Sequence, residues 1–172
     1  SPYGSPAANI GIQLEDPSEP SARILVEGNI VYNCKWGIMS GKNNKHITIR
    51  GNIVNGTTER GIWAYRTAVV NIEGNFVIDA GAEGIWVLQS TMVAIKDNIV
   101  KSSDGAGIRV RASPEAMVSG NHVLNSGSNG ISVTASARTE ISGNTIANCG
   151  TSTVRTQPLY VASANAIIKD NV

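Results

Sequence analysis

The chain has 172 residues, 41% of them apolar, and a net charge of +1, enough for one domain with a core of its own. Charges of both signs are scattered, with no basic run and no amphipathic basic stretch, which argues against a nucleic-acid or membrane-surface partner. No apolar run approaches the ~20 residues that span a bilayer, and Ser1-Pro2-Tyr3-Gly4 lacks the pattern of a signal peptide.

Residues 1–23 hold four of the six prolines, Pro2, Pro6, Pro17 and Pro20. Between them Ile10-Gly11-Ile12-Gln13-Leu14 reads as one strand. Proline removes backbone donors, so this irregular segment is expected at an edge or as a partial cap. From Ile24 the chain changes character, and residues 24–172 form a second unit. Twenty Ile and 16 Val stand against 5 Leu, a β-branched excess that favours strands. Gly and Asn punctuate it as turn residues do.

The punctuation is periodic. Gly51-Asn52-Ile53-Val54 has copies beginning at Gly28, Gly74, Asp97, Gly120 and Gly143, and Asp170-Asn171-Val172 is a truncated seventh. The asparagines fall at 29, 52, 75, 98, 121, 144 and 171, five spacings of 23 and one of 27. A period of this length means a solenoid. The surplus of four residues predicts a bulged loop over Thr151–Pro158. Five and three residues before each Asn are apolar or small positions, such as Ile47/Ile49 and Val70/Ile72, and Val or Ile follows two residues after it. A second block reads Gly37-Ile38, Gly61-Ile62, Gly84-Ile85, Gly107-Ile108 and Gly130-Ile131. This alternation predicts about three short strands per repeat. The competing reading, a leucine-rich repeat, is disfavoured by the scarcity of leucine and by the extra Gly-Ile-x-Val strand.

In a solenoid each repeat position becomes a row. Cys34 and Cys149 share one position five turns apart, roughly 24 Å at a strand spacing of ~4.8 Å, too far for a disulfide. The row two before Asn reads Glu27, Arg50, Glu73, Lys96, Ser119, Ser142, Lys169, an expected ladder of exposed ion pairs. The row after Asn reads Ile30, Ile53, Phe76, Ile99, His122, Thr145. Its apolar members either call for an oligomer or adjoining domain over Ile30, Ile53, Phe76 and Ile99, or are partly buried where the strand bends. His122 stands alone there.

The most informative row is the x of Gly-Ile-x-Val: Met39, Trp63, Trp86, Arg109, Ser132. Two residues on come Gly41, Tyr65, Leu88, Arg111 and Thr134. Trp63, Tyr65, Trp86, Arg109 and Arg111 should therefore share one outward face. Aromatic faces suit the C–H faces of sugars and guanidinium forks suit carboxylates. Aromatic–arginine stacking that merely shields a sheet, or an oligomer contact, is the other reading of the same residues.

Taken together, Gly-Asn-x-Ile/Val and Gly-Ile-x-Val make residues 24–172 resemble the right-handed parallel β-helices of the pectate-lyase-like superfamily. Gly107-Ile108-Arg109-Val110 is similar to the alginate lyase and chondroitinase B-like branch. The resemblance implies an all-β, single-stranded right-handed parallel β-helix of about 6–7 coils of 23 residues, with three short strands per coil. It also implies a hydrogen-bonded ladder of inward Asn29, Asn52, Asn75, Asn98, Asn121 and Asn144, which the amide's two-sided donors and acceptors favour. The chain stops inside a strand motif, so an open-ended module or a fragment is expected.

The resemblance implies a carbohydrate-directed module, extracellular, at the cell surface or periplasmic, that binds or modifies an acidic polysaccharide. Whether it is an enzyme stays open. Lyase or epimerase chemistry needs a base beside the sugar carboxylate and a cation for the enolate. Arg109 and Arg111 are candidates for the second role, and no lysine matches the first. Glu83 and Asp104 could be a hydrolytic carboxylate pair, but are expected in a solvated turn. No metal site is visible, and the Ca²⁺ known in the superfamily finds no dense Asp cluster here. The alternative is a non-catalytic structural or assembly module such as a stalk, adhesin or phage-fibre segment.

Overall fold

The computed structural model describes residues 9–14, 23–150 and 159–172, the side chains of Ser163 and Ala164 excepted. Strands succeed one another with no helix among the described residues. The first coil holds β1 (Ile10–Leu14), β2 (Ile24–Glu27) and β3 (Ile30–Tyr32), and the second β4 (Trp36–Ser40), β5 (His46–Arg50) and β6 (Ile53–Thr57). The third has β7 (Ile62–Tyr65), β8 (Val69–Glu73) and β9 (Phe76–Ala80), the fourth β10 (Ile85–Leu88), β11 (Met92–Lys96) and β12 (Ile99–Ser103). The fifth has β13 (Ile108–Arg111), β14 (Glu115–Ser119) and β15 (His122–Ser126). The sixth runs through β16 (Ile131–Ser142) and β17 (Thr145–Ala147), and β18 (Leu159–Lys169) opens a seventh.

Every strand pairs in parallel with its counterpart one coil away, so the coils form three faces. The Gly-Ile-x-Val strands, from β1 through β13, make the first face and the strands before each Asn make the second. The long β16 turns the corner without a break, which joins these two faces into one 12-stranded sheet. The strands after each Asn form a separate six-stranded sheet, β3 to β17, the third face. Strand β1 lies at the free edge of the first face, against β4. The loop expected over Thr151–Pro158, and most of residues 1–23, lie outside the described residues.

Corners are made by single residues with positive φ. Each coil has one just before the ladder Asn (Gly51, Gly74, Asp97), one four residues after it (Asp79, Ser102, Asn125) and one before the second face (Arg66, Gln89, Ala112). Glycine suits the first corner because the left-handed region carries no Cβ penalty for it. The Gly-Ile glycines serve a different need, close approach. A Cβ on Gly84 would meet a Val100 methyl at 2.3 Å and the Gly107 carbonyl oxygen at 2.8 Å. Inside, Ile38, Ile62, Ile85, Ile108 and Ile131 form one fully buried row, with Ile49, Ile72, Ile95, Val118 and Ile141 another. Each such side chain contributes ~1.5–3 kcal/mol of burial.

Through the core runs a file of amides. Asn52 Nδ2 donates to Asn75 Oδ1 at 2.9 Å, and also to the carbonyls of Val26 and Arg50. Asn75 repeats this toward Asn98, Ile49 and Glu73, and the steps Asn98–Asn121, Asn121–Asn144 and Asn144–Asn171 follow. Asn29 is the first member, donating to Asn52 Oδ1. Each Oδ1 also accepts the backbone N–H of the preceding Asn. Asn52, Asn75, Asn98, Asn121 and Asn144 are buried and have no water to turn to, so a rung there that lost its amide would strand its neighbours' donors.

At the C-terminal end Ile168 is 50% exposed, although its row-mates Ile95 and Ile141 are fully buried. Both cysteines are free thiols. Burial pushes the Cys34 thiol above its ordinary pKa.

A cationic aromatic face and its cleft

Strand register assembles the candidate site. Met39, Trp63, Trp86, Arg109, Ser132 and Tyr160 are consecutive partners across the first face. Tyr65, Leu88, Arg111 and Thr134 are partners in the row beside it. The two indoles stack, with centroids 6.2 Å apart and planes 20° from parallel. Tyr65 stacks on Trp63 at 6.0 Å, and Trp36 meets Trp63 at 5.9 Å in a tilted contact.

The arginines are built into this stack. The Arg60 guanidinium lies 4.0 Å from the Trp86 ring centroid and 5.0 Å from that of Trp63. Arg109 sits 5.4 Å from Trp86 and Arg66 5.0 Å from Tyr65. Each cation–π contact is worth ~0.5–1 kcal/mol at such half-exposed sites. Glu83 ties the arginines together: Arg60 Nε donates to its Oε2 at 3.1 Å and Arg109 Nη1 to its Oε1 at 2.9 Å. The Glu83 side chain is only 11% exposed. This corrects the expectation of a solvated turn, because two guanidinium partners compensate the carboxylate for the water it loses. Asp104 does stay exposed, so the two acids are in different environments and do not form an exposed pair. Arg111 is exposed and has no ion pair among the described residues.

Beyond Arg109 the row narrows to Ser132 and then rises again at Tyr160. The result is a cleft of about 350 Å³ lined by Glu83, Arg109, Ser128, Asn129, Ser132, Thr134 and Tyr160. The indole N–H groups of Trp36, Trp63 and Trp86 are buried and have no hydrogen-bond partner among the described residues, a cost of ~1–3 kcal/mol for each unsatisfied donor.

Sequence reasoning placed Trp63, Tyr65, Trp86, Arg109 and Arg111 and missed Arg60, Trp36 and Tyr160. Trp36, Arg60 and Glu83 each precede a Gly-Ile pair, so the same counting would have shown opposite charges on adjacent coils. Tyr160 was hidden because Pro158-Leu159 replaces Gly-Ile and the pairing slips between Thr134 and Ser136.

The other rows carry less. The expected charge ladder closes as an ion pair only at Glu27–Arg50, 2.9 Å, among the described residues, and Lys169 turns instead to Glu140 at 3.0 Å. That correction has a simple cause: exposed long side chains take whichever partner costs least entropy. On the third face Ile30, Ile53, Phe76 and Ile99 are exposed. Ile53, Phe76 and Ile99 keep only 36–42% of their surface, while the valines that follow them are buried, so the row points outward and is partly covered. His122 is exposed in the same row.

Two family models match this chain. That of the right-handed β-helix region covers residues 66–172, and that of NosD, the periplasmic copper-binding protein, covers residues 7–98. The chain belongs to the right-handed β-helix families these models describe. No curated protein and no solved structure matches this β-helix. Among the described residues there is no helix long and apolar enough to cross a membrane.

Proposed function

We propose that this β-helix is a carbohydrate-directed module of the periplasm or cell exterior that holds an acidic polysaccharide along its first face. The observation that carries the reading is the row itself, an aromatic platform of Trp63, Tyr65 and Trp86 passing into Arg109 and the free guanidinium of Arg111. Three unsatisfied indole donors make the platform a poor choice if shielding the sheet were its only task, since aliphatic side chains would shield without that penalty. Among the described residues Arg60, Arg66 and Arg109 stack on the platform and Arg111 stands in the adjoining row, against the one carboxylate Glu83 that pairs with two of them, which favours polyanions. Because Arg109 is held by Glu83, Arg111 is the residue to meet a sugar carboxylate. If the module also acts on the polymer, Arg109 and Arg111 are the candidates to stabilise an enolate in lyase or epimerase chemistry, and Arg111 is the one without an ion pair among the described residues.

The described residues gather no His, Cys or carboxylate donor set for the copper in the second family's description. Among the described residues there is no group of three or more His, Cys, Asp or Glu. His46 hydrogen-bonds Asn71 on the second face and His122 stands on the third. Cys34 is buried and Cys149 bonds backbone carbonyls at the far end. We assign copper no role.

Calorimetric titration with uronate oligosaccharides tests the proposal. Saturable binding that weakens about tenfold in Trp86→Ala and in Arg111→Ala supports it, and unchanged affinity in both variants rejects it. A second reading, an assembly module, is favoured by the exposed Ile30, Ile53, Phe76 and Ile99. It requires concentration-dependent association that Phe76→Lys abolishes.

A further inference from the structure

The cleft beyond Arg109 has a chemistry different from the platform that leads to it. Among the described residues its charged lining is Glu83 and Arg109, paired at 2.9 Å, with Arg60 holding the other oxygen of Glu83. The other described lining residues are uncharged: Gly105, Ala106, the hydroxyls of Ser128, Ser132, Thr134 and Tyr160 and the amide of Asn129. A carboxylate entering here would meet the Glu83 carboxylate and would have to draw Arg109 away from it. Both carry a high cost in a partly dehydrated site. A sugar hydroxyl pays neither cost, and can donate to Glu83 while accepting from Arg109.

Shape agrees with chemistry. Arg109, Ser132 and Tyr160 are successive register partners, so the two tall side chains flank the short one across two strand spacings, roughly 9–10 Å. The volume of about 350 Å³ lies at the small end of ligand pockets, ~300–1,000 Å³, room for one ring and not for a chain. Tyr160 supplies an aromatic wall for the apolar face of that ring. Arg111 is outside the lining but pairs in register with Thr134, which is inside it. An acidic residue over Arg111 therefore has its neighbour in the polymer at the cleft.

We propose that the slot between Arg109 and Tyr160 is a subsite for a single uncharged pyranose residue, so that the preferred polymer carries neutral sugars beside its acidic ones. The inference rests on the reading of this face as carbohydrate-binding and adds to it the class of polymer and the selecting residues, Ser132 and Tyr160.

Three soluble probes test it: a uronate homo-oligomer, a neutral glucan oligomer and an alternating uronate–N-acetylhexosamine oligomer. The alternating oligomer should bind the wild-type chain about tenfold more tightly than either other probe. Ser132→Trp fills the slot with a side chain that the same row already carries at Trp63 and Trp86. It should bring the alternating oligomer down to the affinity of the homo-oligomer, and a thermal melt reports that the variant is folded. Ser132→Leu is the smaller filling if the indole perturbs the coil, and Tyr160→Ala removes the wall from the other side. A homo-oligomer that binds most tightly, or filled variants that keep the wild-type preference, would overturn the subsite while leaving the platform standing. If the wild-type chain binds none of the three probes, the carbohydrate reading of the whole face fails and the subsite with it.

Discussion

Two files of side chains run the length of this molecule, one inside at the corner between the second and third faces and one on the outside of the first face. The inner one repeats a single chemistry: Asn at every coil from 29 to 171, with Nδ2 to Oδ1 distances of 2.9–3.0 Å at each step. The outer one changes at nearly every coil, from Met39 to Trp63, Trp86, Arg109, Ser132 and Tyr160. Both are held by the same register. Inside, each amide is both donor and acceptor to its neighbours, so one coil dictates the next. Outside, solvent can satisfy whatever a side chain offers, and nothing enforces repetition. Variation along the outer file therefore points to what the protein recognises, and constancy along the inner file to what keeps it folded.

The sharpest way to break that contrast is to put a charge inside. Ile85→Asp places a carboxylate in a fully buried row with no partner, and should cost ~4 kcal/mol or more. Chemical denaturation should show little folded protein. Next comes Asn75→Leu, which strands the Asn52 donors and the Ile49 and Glu73 carbonyls. At ~1–3 kcal/mol for each unsatisfied group, a loss of ~3–5 kcal/mol and a melting point lower by ~10 °C are expected.

Glu83→Gln lies between the two files in effect. It leaves Arg60 and Arg109 without their common anion, but both guanidinium groups retain some contact with water, so ~1–2 kcal/mol is a reasonable loss. Tryptophan emission should shift as Arg60 leaves the Trp63–Trp86 stack. Trp86→Ala should cost less than ~2 kcal/mol of stability while weakening uronate binding about tenfold. If it destabilises more than Asn75→Leu, the inside and outside have been assigned the wrong way round.

The smallest effect is that of pH on β18. The Lys169 hydrogen bond and charge hold the Glu140 carboxyl below its usual range, and Glu140 in turn raises Lys169. A lowered carboxylate contributes above its unfolded value and loses that contribution as pH falls through the folded one. Protection factors of the β18 amides, corrected for the intrinsic pH dependence of exchange, should be unchanged from pH 7 to about 5 and fall slightly only below ~4. Lys169 is exposed and Glu140 only half-buried, so solvent screens the pair and the global melt should not follow.

How far the sequence carries the structure depends on which rule governs a residue. The 23-residue spacing, the alternation around Asn52 or Asn75 and the Gly-Ile pairs lead to parallel coils with three strands, because periodicity and register are the same statement in a solenoid. The family matches and the sheet topology agree with that architecture. What counting does not supply is which side chain leans on which. Glu83 looked solvated because its turn is; its burial comes from Arg60 on one coil and Arg109 on the next. The cleft arises from a short residue between two long ones, and its far wall lies past the irregularity at Thr134/Ser136. Lys169 has only Ser142 beside it in its own row, and its choice of Glu140 is a matter of rotamer freedom that repeat position does not supply.

Residue-resolved hydrogen exchange, with and without an acidic oligosaccharide, tests the central claim most directly. Added protection should fall on β7, β10 and β13 and spare β8, β11, β9 and β12 of the same coils. Protection confined to the third face around Ile53, Phe76 and Ile99, or none anywhere at saturating ligand, would contradict it.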